Sequence, residues 1–197
     1  MGLDIYFNAK RKNEKLRKEY EELDALRRDV RKRYDEAIAE EMKKIKETSE
    51  PNQSGCYVFP NEIRDRLWAE FESDVIKFQR KLDDCYNALY SEVAYFRKVN
   101  FLLPYFNYEE NCSEVVIDKY EVEELIVDCK RVLAAKDTDE AESVANEFLP
   151  TEEGFFFGNT DYDEWYFKDV QEVMDKFTEI LDTFDFDENE LVMSCWW

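Results

Sequence analysis

The sequence predicts a mostly helical α+β fold, in which a small sheet packs with helices and a long antiparallel helical hairpin is inserted near the start of the chain. Three observations predict it. Only four glycines and four prolines interrupt 197 residues. Two long stretches without either breaker carry apolar residues at steps of three and four, on both sides of one turn-rich segment. Four short apolar stretches are scattered among helical ones, the arrangement of a small sheet in an α+β domain.

Taken in order, residues 1–7 alternate Leu3, Ile5 and Phe7 with Asp4 and Tyr6, the period of a strand. From about Lys10 to about Glu47 the chain is rich in Glu, Lys, Arg, Leu and Ala, which favour helix. Its narrow apolar stripe runs from Leu16 through Tyr20, Val30, Tyr34 and Ile38 to Ile45, and charged residues fill the remaining faces. Residues 48–59 contain Pro51, Asn52, Ser54 and Gly55 and read as a loop. A second long helix starts near Pro60, which needs no N–H in a first turn. Its seam (Ile63, Leu67, Phe71, Val75, Phe78, Leu82, Cys85, Leu89, Val93, Phe96) keeps a heptad spacing. Two such helices and a short loop make a hairpin over 10–91, each seam burying the other. The compact domain then comprises 1–9 and 92–197.

Within that domain, 92–100 continues the second helix or follows a kink, ending near Pro104. Residues 113–118 read as a short strand, 120–135 as a helix, and 139–148 as a helix capped by Asp137 or Thr138 and stopped by Pro150. Gly154–Gly158, with three phenylalanines between turn residues, reads as a buried strand. A last helix from about Asp161 to Phe184 is capped by Asn159 or Thr160, and 190–197 forms a C-terminal strand.

Charge divides along the chain. Lys and Arg number 27 against 48 Asp and Glu, a formal net charge of −21. Residues 1–50 carry +1 and 51–100 carry −1, whereas 101–150 carry −9 and 151–197 carry −12. Nucleic acid is bound by neutralising phosphates, so direct nucleic-acid binding is excluded as the expectation, and anionic membranes are disfavoured likewise. No apolar run approaches the ~18–20 residues of a membrane span, and no secretory signal opens the chain, so a cytoplasmic location is expected. A basic protein surface is the complementary partner; the alternative is that the acidity serves solubility.

Catalytic and metal chemistry find little here. Histidine is absent, which removes Ser–His–Asp and Cys–His nucleophile systems and the commonest metal ligand. Cys56, Cys85, Cys112, Cys129 and Cys195 are odd in number, widely spaced and without a CxxC pair, so neither a zinc site nor a disulfide framework is expected. Neither cofactor nor metal is expected. Gly154–Gly158 lacks the lysine of a phosphate loop, and 182–190 lacks the central glycine and ligand spacing of a calcium loop. With 48 acidic residues, pairs of carboxylates arise by chance and carry no sign of glycosidase chemistry.

One cluster combines polar and aromatic residues: Tyr95, Arg97, Lys98 and Asn100 together with Asp161, Tyr162, Asp163, Trp165 and Tyr166. If residues 92–100 lie beside the turn at 158–163, Arg97 can pair with Asp161 or Asp163 and lock the fold. The same residues can instead line a ligand pocket around Arg97 and Tyr162, with a helix start near Gly158 accepting a phosphate or carboxylate. Aspartates already occupy that electrostatic position, which favours the ion pair.

Three stretches carry a resemblance. The opening Met1-Gly-Leu-Asp-Ile-Tyr, the block Glu92-Val-Ala-Tyr-Phe-Arg-Lys-Val-Asn100, and Leu149-Pro-Thr-x-x-Gly-Phe-Phe-Phe-Gly158 followed by Tyr162-Asp-Glu-Trp-Tyr166 resemble a family of uncharacterised phage and prophage proteins. The terminal Ser194-Cys-Trp196 is similar to that family's ending. The likeness covers 1–7 and about 92–197 and leaves out the hairpin. Relatives carry an Ile-His pair where this chain has Phe101 and Leu102 after Asn100. The resemblance implies a phage-like origin and no particular chemistry.

The sequence thus points to a non-enzymatic, phage-like interaction protein. Its acidic surface docks on a basic host protein, for instance as an anti-defence inhibitor that competes with nucleic acid. A small-molecule or nucleotide-binding protein is the alternative, and homodimerisation through the hairpin is a third expectation.

Overall fold

The chain runs β1 (Asp4–Arg11), α1 (Glu14–Thr48), α2 (Asn61–Leu89), β2 (Tyr90–Arg97), α3 (Leu102–Tyr105), β3 (Val115–Ile117), α4 (Lys119–Ala135), α5 (Ala141–Phe148), α6 (Glu164–Thr183) and β4 (Asn189–Trp196) in a computed structural model that describes residues 2–197. It is a mostly helical α+β fold with a four-stranded antiparallel sheet. Met1, the first residue of the expected opening strand, lies outside the described residues.

Two compact units result. One is Asn13–Leu89; the other combines Met1–Lys12 with Tyr90–Trp197. In the first, α1 and α2 form an antiparallel pair. Asn13 caps α1 by accepting the Leu16 N–H at 3.1 Å. The seam brings Tyr34 edge-on to Trp68 and Phe71, with ring centroids 5.6 and 5.7 Å apart, and Tyr20 to Tyr86 at 6.3 Å. Val30, Tyr34, Leu67, Leu82, Cys85 and Leu89 are its buried residues. The connecting loop is closed by the Asn52 side chain, which accepts from the Ser54 and Cys56 N–H groups.

In the second unit the strands lie in the order β2-β1-β4-β3. Ile5 and Phe7 of β1, Ala94 and Phe96 of β2, and Leu191, Met193 and Cys195 of β4 alternate onto one face and join a single core with α4 and α6. Phe177 of α6 is the hub, 4.9 Å from Phe7, 6.3 Å from Phe96 and 6.2 Å from Phe106 between ring centroids. Each such buried ring contributes about 1.5–3 kcal/mol of apolar burial before entropy is charged against it. Asp118 and Glu121 form a reciprocal capping box at the start of α4.

Four sequence expectations are corrected. Lys10 and Arg11, expected in the first helix, belong to β1, which pairs in register with β4 as far as Arg11↔Asn189. The region 92–100 does not continue the second helix. β2 replaces it from Tyr90, and the register skips from Phe7↔Ala94 to Asn8↔Glu92, leaving Val93 as the extra residue of a bulge. The heptad seam therefore ends at Leu89, and Val93 and Phe96 belong to the sheet. Gly154–Gly158 is a tight turn and not a strand: the Phe157 N–H donates to the Gly154 carbonyl at 3.1 Å, and Gly158 holds φ +98°. A Cβ on Gly154 would sit 2.5 Å from the Phe157 ring, so the turn requires glycine there. Only Phe157 of the three phenylalanines is buried, and Phe155 is 95% exposed. Finally, α6 is capped by Asp163, whose Oδ1 accepts from the Trp165 and Tyr166 N–H groups at 2.9 and 3.0 Å, and α5 has no side-chain cap.

Candidate functional site

The expected polar cluster divides into three settings. Tyr95 and Arg97 project from β2 on the side of the sheet opposite the core. Cross-strand pairing places Tyr6 against Tyr95, with ring centroids 5.1 Å apart, and Asp4 between Arg97 and Trp196. The Tyr95 hydroxyl donates to Asp4 Oδ1. That hydrogen bond raises the Tyr95 phenol above its ordinary value, since ionisation would give up the proton donated to Asp4, and the nearby negative charge adds to the effect. The Arg97 Nε lies 4.0 Å from the same Asp4 oxygen. Arg97 therefore finds its ion-pair partner in Asp4, not in Asp161 or Asp163 as the sequence suggested. The pair is exposed on its Arg side, so it adds little to stability.

The second setting is the junction after β2. Lys98 adopts φ +62°, and its N–H donates to the Leu3 carbonyl at 2.9 Å. Its stem runs over Gly158, where an added Cβ would come within 3.3 Å of the Lys98 Cβ. Asn100 is 3% exposed and is the buried polar residue among those described. Its Nδ2 donates to the Asn159 carbonyl at 3.0 Å and to the Phe157 carbonyl at 3.5 Å. Asn100 thus ties down the turn that carries Phe155, a structural duty.

The third setting is the start of α6. Asp163 is occupied as the cap. The Tyr162 hydroxyl donates to Asn146 Oδ1 at 3.0 Å and its ring stands edge-on to Tyr166 at 4.9 Å. The Tyr166 hydroxyl donates to the Leu149 carbonyl at 2.9 Å, and burial pushes its phenol far above its ordinary value. Beside Tyr162 lies a shallow depression of about 270 Å³ lined by Glu142, Thr160, Asp161, Tyr162 and Asp163. Three carboxylates and no cation line it, which repels a phosphate or carboxylate ligand. Trp165 is exposed, with Lys168 Nζ 5.2 Å from its ring centroid.

The candidate site is therefore the outward face of the sheet: Tyr95 and Arg97, which the sequence singled out, joined by Asp4, Tyr6 and Trp196, which it did not. Tyr95 is 42% and Trp196 59% exposed. The missed residues had a signal, since Asp4 and Tyr6 alternate with Ile5 and Phe7, and Trp196 follows the inward Cys195. Tyr, Trp and Arg side chains thus gather around the Asp4 carboxylate.

Burial pushes the thiols of Cys129 and Cys195 up to about 12, which leaves them protonated and inert. Among the described residues no three Cys, Asp or Glu side chains converge as a metal ion requires, and no helix is long and apolar enough to cross a membrane. No protein-family model, no curated protein and no solved structure matches the chain.

Proposed function

We propose that this protein works by binding another protein, and that its compact unit docks on a basic surface of that partner. One observation carries the reading. The compact unit holds 29 acidic and 11 basic side chains, a net −18, whereas Asn13–Leu89 holds 19 and 16, a net −3. A field of one sign over one unit raises encounter rates with an opposite surface. The Tyr95–Arg97–Trp196 face supplies the aromatic anchors that such long-range attraction lacks.

The likeness of residues 1–7 and 92–197 to phage proteins gives the reading its setting: a phage-encoded protein in the host cytoplasm. Its partner is a basic host protein, such as a defence effector whose nucleic-acid groove the acidic unit occupies in place of nucleic acid.

The test is affinity capture from host cells, followed by titration of the purified partner at rising NaCl. The dissociation constant is expected to weaken at least tenfold between 50 and 300 mM, and Trp196→Ala is expected to weaken binding at every salt concentration. Affinity indifferent to salt removes the reading.

A further inference from the structure

The hairpin unit carries a binding surface of the opposite character. A trough of about 740 Å³ runs along the α1–α2 pair, from Arg27 to Ala39 on α1 and from Trp68 to Gln79 on α2. Twelve residues of helix rise about 18 Å, the length of three turns. Its floor is apolar: Tyr34 and Trp68 meet edge-on, Val75 lies beyond them, and Trp68, next to the seam residue Leu67, is 38% exposed. Its wall is cationic, formed by Arg28, Arg31 and Lys32, with Arg27 at one end.

Two carboxylates, Asp35 and Glu36, also line the trough, against four cations. They are engaged along α1 itself: Arg31 Nε lies 3.3 Å from Asp35 and Lys32 Nζ 3.9 Å from Glu36, while Asp24 serves Arg27 and Arg28. These are exposed pairs between residues three or four apart on one helix, which contribute tenths of a kcal/mol and exchange readily with an incoming carboxylate.

We infer that this trough seats an acidic amphipathic helix of a partner protein, completing a three-helix bundle with α1 and α2. An open trough of three turns between two helices matches the shape of a third helix. Its apolar floor takes leucine-like side chains at i, i+4 and i+7. Its cationic wall takes the flanking carboxylates, with Trp68 and the arginines as the residues that dominate such interfaces. A second copy is the weaker fit, because two troughs face to face would set Arg28, Arg31 and Lys32 against themselves.

The experiment uses the full chain and two synthetic 18-residue helix-forming peptides. Both carry leucine at i, i+4 and i+7 on an alanine-rich background; one carries glutamate at four flanking positions, the other glutamine at the same four. Binding is read by fluorescence anisotropy at 150 mM salt. The glutamate peptide is expected to bind at least tenfold tighter than the glutamine peptide. Trp68→Ala is expected to weaken it tenfold or more. The double variant Arg28→Gln/Lys32→Gln is expected to erase the preference with helix content unchanged by circular dichroism. Equal binding of both peptides, binding of neither, or a preference that survives the double variant overturns the inference. So does a dimer in sedimentation equilibrium that the same double variant dissolves, since the second copy would then be the occupant.

Discussion

Charge does different work in the two units. In Asn13–Leu89 nearly equal numbers of cations and carboxylates alternate along two helices and meet as pairs such as Arg33–Asp29 at 3.1 Å and Lys44–Glu41 at 2.8 Å. The pairs support the helices locally and leave almost no net field. In the compact unit 29 carboxylates face 11 cations, so most carboxylates have no cation to meet. That excess cannot hold the fold and opposes it through self-repulsion. Stability in the compact unit must then come from its aromatic and aliphatic core, whereas the hairpin depends on a single seam of buried residues. The division explains how one chain can carry a cationic trough and an acidic field at once.

The largest effect that sharpens this comparison is expected at Phe177. Phe177→Ala removes the ring around which Phe7, Phe96 and Phe106 gather and is expected to cost about 3–5 kcal/mol. Tyr34→Ala on the hairpin seam is expected to cost about half as much, because its ring lies at the floor of a trough and the site can collapse or admit water. Hydrogen exchange resolved by unit measures both, and the hairpin amides should exchange at lower opening free energy than those of β1 and β4. Equal costs in the two units would break the comparison.

A smaller effect is expected from Asn100, the buried polar anchor among the described residues. Asn100→Ala leaves the Phe157 and Asn159 carbonyls without their donor and is expected to cost about 1–3 kcal/mol. Proteolysis within 154–160 should accelerate in the same variant, because the turn loses its tie to the core.

Much of this was legible in the sequence, and the failures have physical causes. Both long helices and the loop between them announced themselves through unbroken periodicity. β2 did not, because Leu89, Val93 and Phe96 continue a spacing of three and four while Ala94 and Phe96 also satisfy a spacing of two. Only the partner strand decides, and Phe7 lies 87 residues away from Ala94. Gly154–Gly158 misled for a different reason. Three phenylalanines imply burial by composition, but Gly158 at positive φ and the ring lying over Gly154 impose a turn that leaves Phe155 outside. The candidate site was half legible. Tyr95 and Arg97 stood out, yet Asp4, Tyr6 and Trp196 reach them only through the pairing of the first and last strands.

The smallest effect separates the two kinds of carboxylate. Glu41 in the hairpin has Lys44 beside it, which holds its carboxyl below the usual range. It therefore favours the fold above its unfolded pKa and loses that contribution as pH falls through its lowered folded value. Asp169 on α6 is the opposite case. Burial, with the nearby Glu172 charge adding to it, pushes its carboxyl up from 3.8 to about 6. Between those values the unfolded chain has released the proton and the folded chain retains it. Ionised Asp169 therefore weakens the fold above pH 6, and the penalty is relieved as pH falls from 6 toward 3.8. Because the group is partly exposed, solvent screening reduces the penalty to about 1 kcal/mol. Asp169→Asn is then expected to raise the Tm by about 2–4 °C at pH 7.5 and to leave it unchanged near pH 4. A gain that persists at pH 4 would mean that the amide makes a new contact, and that Asp169 bears none of the charge strain assigned to the compact unit.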